Sequence, residues 1–380
     1  MSAADPVIDL LADLVAIDSV NPLLVNGGAG EAAIAAHLEQ VCRRAGLDVQ
    51  VQLAAPGRPN VVATLDGAAP GRTLMLCGHL DTVGVAGMSA PFSPVVRDGR
   101  LYGRGAQDMK GGVAAMVSAA AAIARRGGLE RGRLVVAAVC DEEHTSLGAE
   151  TLVKDWRADA AIVTEPTDLQ IAVAHKGFAE IEVETRGVAA HGSRPDEGRD
   201  AIFRMGRVLG ALEQRERQFA AAAARGRLGR PSLHASTIAG GREWSTYPDR
   251  CVLQLERRTL PGEHGDTALR EVQALLDALR AADAEFEGTA RLAFSRDGYE
   301  IAETAELPQM LAAACAAAGR PAAFAAASFW TDAAILGGAG IPAVVFGPGG
   351  AGLHGVEEYV KIDEVVDCRD LLVDVAHRYC

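Results

Sequence analysis

Apolar runs that end in acids or histidines recur along this 380-residue chain. "TLMLCG" runs into His79 and Asp81, "LVVAAVC" into Asp141, Glu142 and Glu143, "AAIV" into Glu165 one residue on, and "AVVFGPGGAGL" into His354. Asp108 stands just ahead of a helical segment that opens near Lys110. Each apolar run reads as a buried strand, and an ionisable group at its end is costly to bury without a partner. In an open α/β sheet the C-terminal strand ends and the loops beyond them form the ligand site, so these groups converge on one edge. So many carboxylates need counter-charge, and Lys110 and Arg104 are the only nearby cations in sequence. Divalent metal resolves the conflict. Histidines with carboxylates form a nitrogen and oxygen donor set, suited to zinc, cobalt or manganese rather than to a thiolate centre. A catalytic ion needs about three protein ligands, and the residues suffice for two ions sharing a bridging carboxylate. Singly, His-x-Asp reads as a structural pair and "DEE" as a solvated turn; the repetition at several strand ends favours the metal.

The elements that must hold these groups follow from pattern. "EAAIAAHLEQVCRRAG" is apolar every three or four residues and stops at Gly46, as a helix does. Short apolar runs then alternate with helices such as "MKGGVAAMVSAAAAIARRG", the texture of a mostly parallel sheet covered on both faces. From 178 to 292 the order becomes strand, helix, strand, strand, helix, strand, the split β-α-β unit of a small α+β, ferredoxin-like domain. The expected organisation is therefore a discontinuous α/β domain that bears these groups, 1–177 and 293–380, interrupted by an inserted domain, 178–292.

Composition narrows the function classes. With 37 basic against 50 acidic residues the formal net charge is -13, and no basic stripe is interleaved with aromatics, which argues against nucleic acid as a partner. No stretch approaches the ~20 apolar residues of a membrane span. The Ala-rich segment 113–124 is bracketed by Lys110 and Arg125, and reads as a buried helix. The N-terminus carries Asp5, Asp9 and Asp13 and lacks the basic start of a secretory signal. Seven cysteines without a C-x-x-C pair point to reduced thiols and a cytoplasmic protein. Gly-rich stretches such as "GRGAQDMKGG" lack the spacing of a nucleotide loop.

"GHLDTV", "GRGAQDMKGGVAAM", "CDEEHTSLGAE", "TEPTDLQI", "HKG", "AAHGSRPDEGRDAI", "RRTLPGE" and "GPGGAGLHGVEEYV" resemble, in order, the motifs of the M20 family of di-zinc amidohydrolases and peptidases. Within it they look most like acetylornithine deacetylases and succinyl-diaminopimelate desuccinylases. The resemblance implies that His79 and Glu165 bind one metal, Glu143 and His354 the other, and Asp108 both, with zinc first and cobalt or manganese as alternatives. It implies that Asp81 takes the second ring nitrogen of His79, that the Asp108 to Met109 peptide is cis, and that Glu142 is the general base. It further implies that 1–177 with 293–380 is the metal-binding catalytic domain and 178–292 a lid or dimerisation domain, with a homodimer in which His191 reaches the partner subunit's site to stabilise the oxyanion, and an Arg258 that grips the substrate carboxylate. Two segments depart from the family pattern: "GGREWSTYPDR" has Ser245 or Thr246 in place of a common Asn, and "SFWTDAA" has Trp330 where a small residue is frequent. The expected activity is hydrolysis of an N-acyl amino acid amide, N-acetylornithine first and N-succinyl-diaminopimelate second. A carboxypeptidase or dipeptidase uses the same machinery. A non-catalytic metal-containing binding protein is the rival from another class, and intact Glu142 argues against it.

Overall fold

The computed structural model describes residues 5–380, and the chain divides into two compact units. The first holds the chain up to Val173 with Ile301–Ala325 and Thr331–Cys380, and the second holds Ala174–Glu300 with Ala326–Trp330.

The first unit is a mixed α/β structure. Helix Pro6–Ala16 starts with Pro6 in its first turn and with the Asp5 carboxylate accepting from the Val7 amide at 3.1 Å, so two of its exposed amide positions are dealt with by sequence. The central sheet of this unit runs in the order Asp48–Ala55, Arg58–Asp66, Arg131–Val139, Ala69–His79, Ala160–Val163, Ala343–Val345, and then residues 171–173 at the start of strand Ile171–His175. Its middle pairings, from Arg131–Val139 across to Ala343–Val345, are parallel, while the Asp48–Ala55/Arg58–Asp66 hairpin adds on antiparallel. Parallel strands covered on both faces must be apolar throughout, and residues 74–79 and Ala160–Val163 are buried without interruption.

Helix Gly111–Arg125 is buried from Gly111 to Ile123 and packs beside Pro6–Ala16 and Ile362–Tyr379. Its small residues permit a close approach to the sheet. At Gly112 a Cβ would stand 1.9 Å from the Thr164 carbonyl oxygen, so only glycine lets this helix abut the strand end that leads to Glu165. No helix among the described residues is long and apolar enough to cross a membrane. The seven cysteines are buried free thiols.

The second unit is built on an antiparallel sheet in the order Ser232–Gly240, Arg250–Thr259, Gly177–Arg186, Gly288–Arg296. Gly177–Arg186 buries alternate residues, as the acid and apolar alternation of its sequence dictates. Ile181, Val183, Leu253 and Leu255 share one core with Met205 and Val208 of helix Ala201–Ala221 and Val272 and Leu276 of helix Gly265–Ala282. The composition shift at 178–292 marks a shorter stretch than this unit. Residues 326–330 join it through Trp330, whose Nε1 donates to the Asp297 carbonyl at 3.0 Å and whose ring meets His175 and Phe178 edge-on. An indole contact of that kind leaves no trace in composition.

His175 is fully buried in this unit. Its Nδ1 faces the Lys176 carbonyl at 3.0 Å and therefore carries the proton, while Nε2 has no partner. Burial lowers its pKa from 6.5 to about 4. The unfolded chain therefore binds a proton that the folded chain refuses between these values. Stability from the neutral ring is complete above about pH 6.5 and is lost as pH falls towards 4, by roughly 3 kcal/mol in all. His175→Phe should flatten the fall in melting temperature between about pH 7 and about pH 5; a slope equal to that of the unaltered protein would exclude His175 as its source.

Candidate metal centre

Four consecutive segments of the first unit deliver the site at one edge of its sheet. Strand Ala69–His79 ends in His79, Arg131–Val139 leads to Glu142 and Glu143, Ala160–Val163 to Glu165, and Ala343–Val345 to the turn that carries His354. Asp108 lies in the tight turn Ala106–Lys110 ahead of helix Gly111–Arg125, and its peptide to Met109 is cis.

The two oxygens of Asp108 face two different histidines. Oδ1 is 3.1 Å from His79 Nε2 and Oδ2 is 3.4 Å from His354 Nε2. His79 Nε2 is also 3.6 Å from Glu165 Oε1 and 3.9 Å from Glu142 Oε2, and His354 Nε2 is 3.2 Å from Glu143 Oε2. Donor atoms of His79, Asp108 and Glu143, and of His79, Glu142 and Glu165, fall into two groups whose members all lie within 4.8 Å of one another. His79 Nδ1 meets the Asp81 carbonyl oxygen at 2.9 Å. A carbonyl only accepts, so Nδ1 holds the proton and the Nε2 lone pair points at carboxylate oxygens. That arrangement requires a proton or a metal ion between them.

Electrostatics make the same demand. Burial first, and then the charge of Glu165, push Glu142 well above the usual carboxylate range; burial likewise raises Glu165. Glu143 is pushed up to about 7 by burial and by Asp108. Burial would raise Asp108 too, but the bonds from His354 and His79 outweigh it and hold it low. The same contact with Asp108, followed by that with Glu143, lifts His354 to about 10. Glu143 Oε1 is buried without a hydrogen-bond partner. Arg104 and Lys110 do not serve as the counter-charge, since Arg104 pairs with Glu358 and Lys110 donates to the Ile17 carbonyl at 2.8 Å. The donor set and the orphaned oxygen fit divalent ions of the zinc, cobalt and manganese kind.

Asp81 meets His79 through its backbone and leaves its carboxylate for other partners. The second ring nitrogen of His79 takes its backbone carbonyl, and its carboxylate lies 3.7 Å from that nitrogen. The carboxylate instead accepts from the amides of Glu142 at 3.1 Å and Glu143 at 3.2 Å, so it fixes the turn that carries both acids.

Behind it lies a buried polar network that the sequence does not announce. Asn21 Nδ2 donates to Asp81 Oδ2 at 2.8 Å and to Asp141 Oδ1 at 3.0 Å. Arg58 forms a two-pronged pair with Glu31 at 2.7 and 2.6 Å and reaches Asp141 Oδ1 at 2.9 Å. Asp141, in a left-handed backbone conformation (φ 68°), accepts from Thr145 Oγ1 at 2.6 Å and so closes its own turn. Arg58, Glu31 and Asn21 are scattered in sequence and carry no shared spacing. Their only signal is an arginine at the head of a strand whose middle is apolar.

His191 and Arg258 belong to the second unit. His191 is exposed, its Nδ1 2.8 Å from Ser193 Oγ, and its segment pairs with 245–247 through Gly192 N to Ser245 O at 2.7 Å and Tyr247 N to Ala190 O at 2.9 Å. Ser245 and Thr246, which depart from the family pattern, thus lie beside His191. Arg258 donates through Nε to Glu256 at 2.7 Å and sits over the Phe178 ring. Its neighbour Arg257 is buried and held by Glu263 and Glu271.

Imidazoles and carboxylates gathered at the ends of parallel strands, with a separate antiparallel unit in the same chain, define a metal-dependent hydrolase. The chain belongs to peptidase family M20/M25/M40, which it matches over residues 75–378. It is 33% identical to the acetylornithine deacetylase of Myxococcus xanthus over 332 residues, 84% of each chain. It is 27% identical to the N-formyl-4-amino-5-aminomethyl-2-methylpyrimidine deformylase of Bacillus subtilis, over 99% of this chain and 95% of that one. Its fold matches the YXEP protein of Bacillus subtilis, described as a dinuclear metal-binding peptidase of the M20 family, with a TM-score of 0.75, 14% identity, and coverage of 98% and 97%.

The network behind Asp81 can be tested by stability alone. Arg58→Met leaves Glu31 and Asp141 buried without their cation and should cost about 3–5 kcal/mol in urea unfolding of the metal-free protein, part of it regained in the double variant with Glu31→Gln. A loss below about 1 kcal/mol would show that the network does not support the turn.

Proposed function

We propose that this protein is a two-metal amidohydrolase that removes the acyl group from an N-acyl amino acid, with N-acetylornithine as the first candidate substrate. The observation that carries the reading is the Asp108 carboxylate, one oxygen towards each of two histidine nitrogens, with Glu142 in the same cluster. His79 and Glu165 would hold one ion, Glu143 and His354 the other, and Asp108 both. When bound, two divalent ions, zinc or else cobalt or manganese, polarise the scissile carbonyl and bring the pKa of water towards ~7.

Glu142 takes a proton from the attacking water and passes it to the leaving nitrogen. The C–N bond breaks, the acyl carbon keeps the water oxygen, and a carboxylate and a free amine leave. Asp81 serves this step by fixing the amides of Glu142 and Glu143. Arg258 binds the substrate carboxylate, and His191, supplied by the partner subunit of a homodimer, donates to the oxyanion. The dimer reading is supported by the edge strand Ser232–Gly240, exposed from His234 onward and bearing an exposed Ile238. The buried thiols accord with a cytoplasmic location.

The names of two relatives, an acetyl- and a formyl-removing enzyme, favour deacylation. Succinyl-diaminopimelate desuccinylase is the second reading, and an M20 peptidase, after the name of the structural neighbour, the third.

Amine release from N-acetylornithine, N-succinyl-diaminopimelate, N-acetylmethionine, its methyl ester and a dipeptide, with cobalt or with a chelator, separates these readings. One substrate should be cleaved in a chelator-sensitive way, and Glu142→Ala should keep its metal while losing turnover by at least about 100-fold. Near-normal turnover in that variant would remove Glu142 as the base, and metal binding without release from any substrate would favour the binding-protein alternative. With the methyl ester, Arg258→Ala should cost little beyond what the ester itself costs. Mixing inactive His191→Ala with inactive Glu142→Ala protein should restore part of the activity. No recovery after demonstrated subunit exchange would place His191 outside the partner's site.

A further inference from the structure

Glu358 lies four residues beyond His354, ahead of strand Tyr359–Lys361, and is 1% exposed. Its carboxylate has four donors. Oε2 accepts from Arg104 Nη1 at 2.6 Å and the Gly105 amide at 2.9 Å; Oε1 accepts from the Gln107 amide at 2.9 Å and the Asp108 amide at 3.1 Å. Arg104 is 2% exposed and donates onward from Nη2 to the Gly355 carbonyl at 2.9 Å and from Nε to the Gly84 carbonyl at 3.1 Å.

A buried ion pair thus ties the turn that presents Asp108 to the turn that presents His354. The carboxylate grips the backbone of residues 105–108, and the guanidinium grips the residue next to His354, which itself has a left-handed backbone (φ 57°). Strand register already places His79 and Glu165 at the ends of neighbouring paired strands. The His354 turn itself lies outside strand pairing; the nearest are the short pairings of Tyr359–Lys361 with Gly350–Ala351 and with Arg100–Tyr102, and the Gly103 amide that donates to the Glu358 carbonyl at 3.1 Å.

We infer that the Arg104–Glu358 pair is a positioning device for the metal centre that acts chiefly on the half formed by Asp108 Oδ2, His354 and Glu143, so that its loss weakens the ion held there more than the ion held by His79, Glu165 and Asp108 Oδ1. This rests on the two-ion reading of the site. An amide at position 358 keeps the shape of the side chain but removes its charge and turns one acceptor into a donor facing other donors, so the Asp108 and His354 turns come loose from each other.

The test is titration of the metal-free protein with cobalt(II), followed by visible absorption and calorimetry, in the unaltered protein and in Glu358→Gln. The unaltered protein should take two ions. Glu358→Gln should take one with a much smaller loss of affinity and the second about 10–100-fold more weakly. Equal weakening of both steps, or of neither, would overturn the inference while leaving the two-ion reading intact. Fewer than two ions in the unaltered protein would overturn that reading instead. If Glu358→Gln does not fold, Arg104→Lys keeps the charge opposite Glu358 but cannot also span to the Gly84 and Gly355 carbonyls, and it should show the same selective loss.

Discussion

A carboxylate between two imidazoles is the constraint around which the first unit is arranged. Asp108 can face both His79 and His354 only if the strand ending in His79, the turn before the buried Ala-rich helix, and the loop bearing His354 meet within hydrogen-bond distance. The parallel sheet brings the first of these to its edge. The lack of a side chain at Gly112 lets the helix start come close enough, and Glu358 binds the Asp108 turn by its amides. None of these features offsets the charge gathered there. They hold acids together against their repulsion, which is why the fold and the requirement for a cation are one problem.

The supporting groups follow a common rule. Asp81, Asp141 and Glu358 are buried acids, and each accepts from backbone amides or buried cationic and amide side chains instead of meeting solvent. Carboxylates satisfied in that way are anchors for loops, whereas Glu142, Glu143 and Glu165 are left with fewer donors; burial raises the proton affinity of Asp81 and Glu358 too, but it pushes Glu142 and Glu165 well above the usual carboxylate range. The same residue type therefore does two jobs, distinguished by the number of donors around it.

The sheet class and the gathering of ligands were legible because strand ends in an α/β sheet share an edge, so apolar runs ending in His79, Glu142 or Glu165 reveal a site by position alone. The anchors were not legible. Asn21, Glu31 and Arg58 come from a loop, a helix start and a strand start, and only three-dimensional proximity relates them. Asp81 was expected at the second ring nitrogen of His79 and meets it through its backbone carbonyl; sequence cannot tell whether a residue offers its side chain or its carbonyl. Trp330 escaped likewise, since its attachment to the second unit depends on contacts with His175, Phe178 and Asp297.

The buried cysteines bear on how the protein acquires its ions. In the folded chain burial pushes the Cys42 thiol up to about 12 and raises Cys77 and Cys368 as well, so these sulfurs stay protonated and do not compete with imidazole and carboxylate for a soft cation. The unfolded chain has no such protection. Its seven thiols and nine histidines are open to zinc, and ligand bound by the unfolded state pulls the folding equilibrium backwards. An ion with affinity for thiolates, present in excess during refolding, would therefore compete with the native state, whereas the same ion offered after folding would meet only protonated, buried sulfurs.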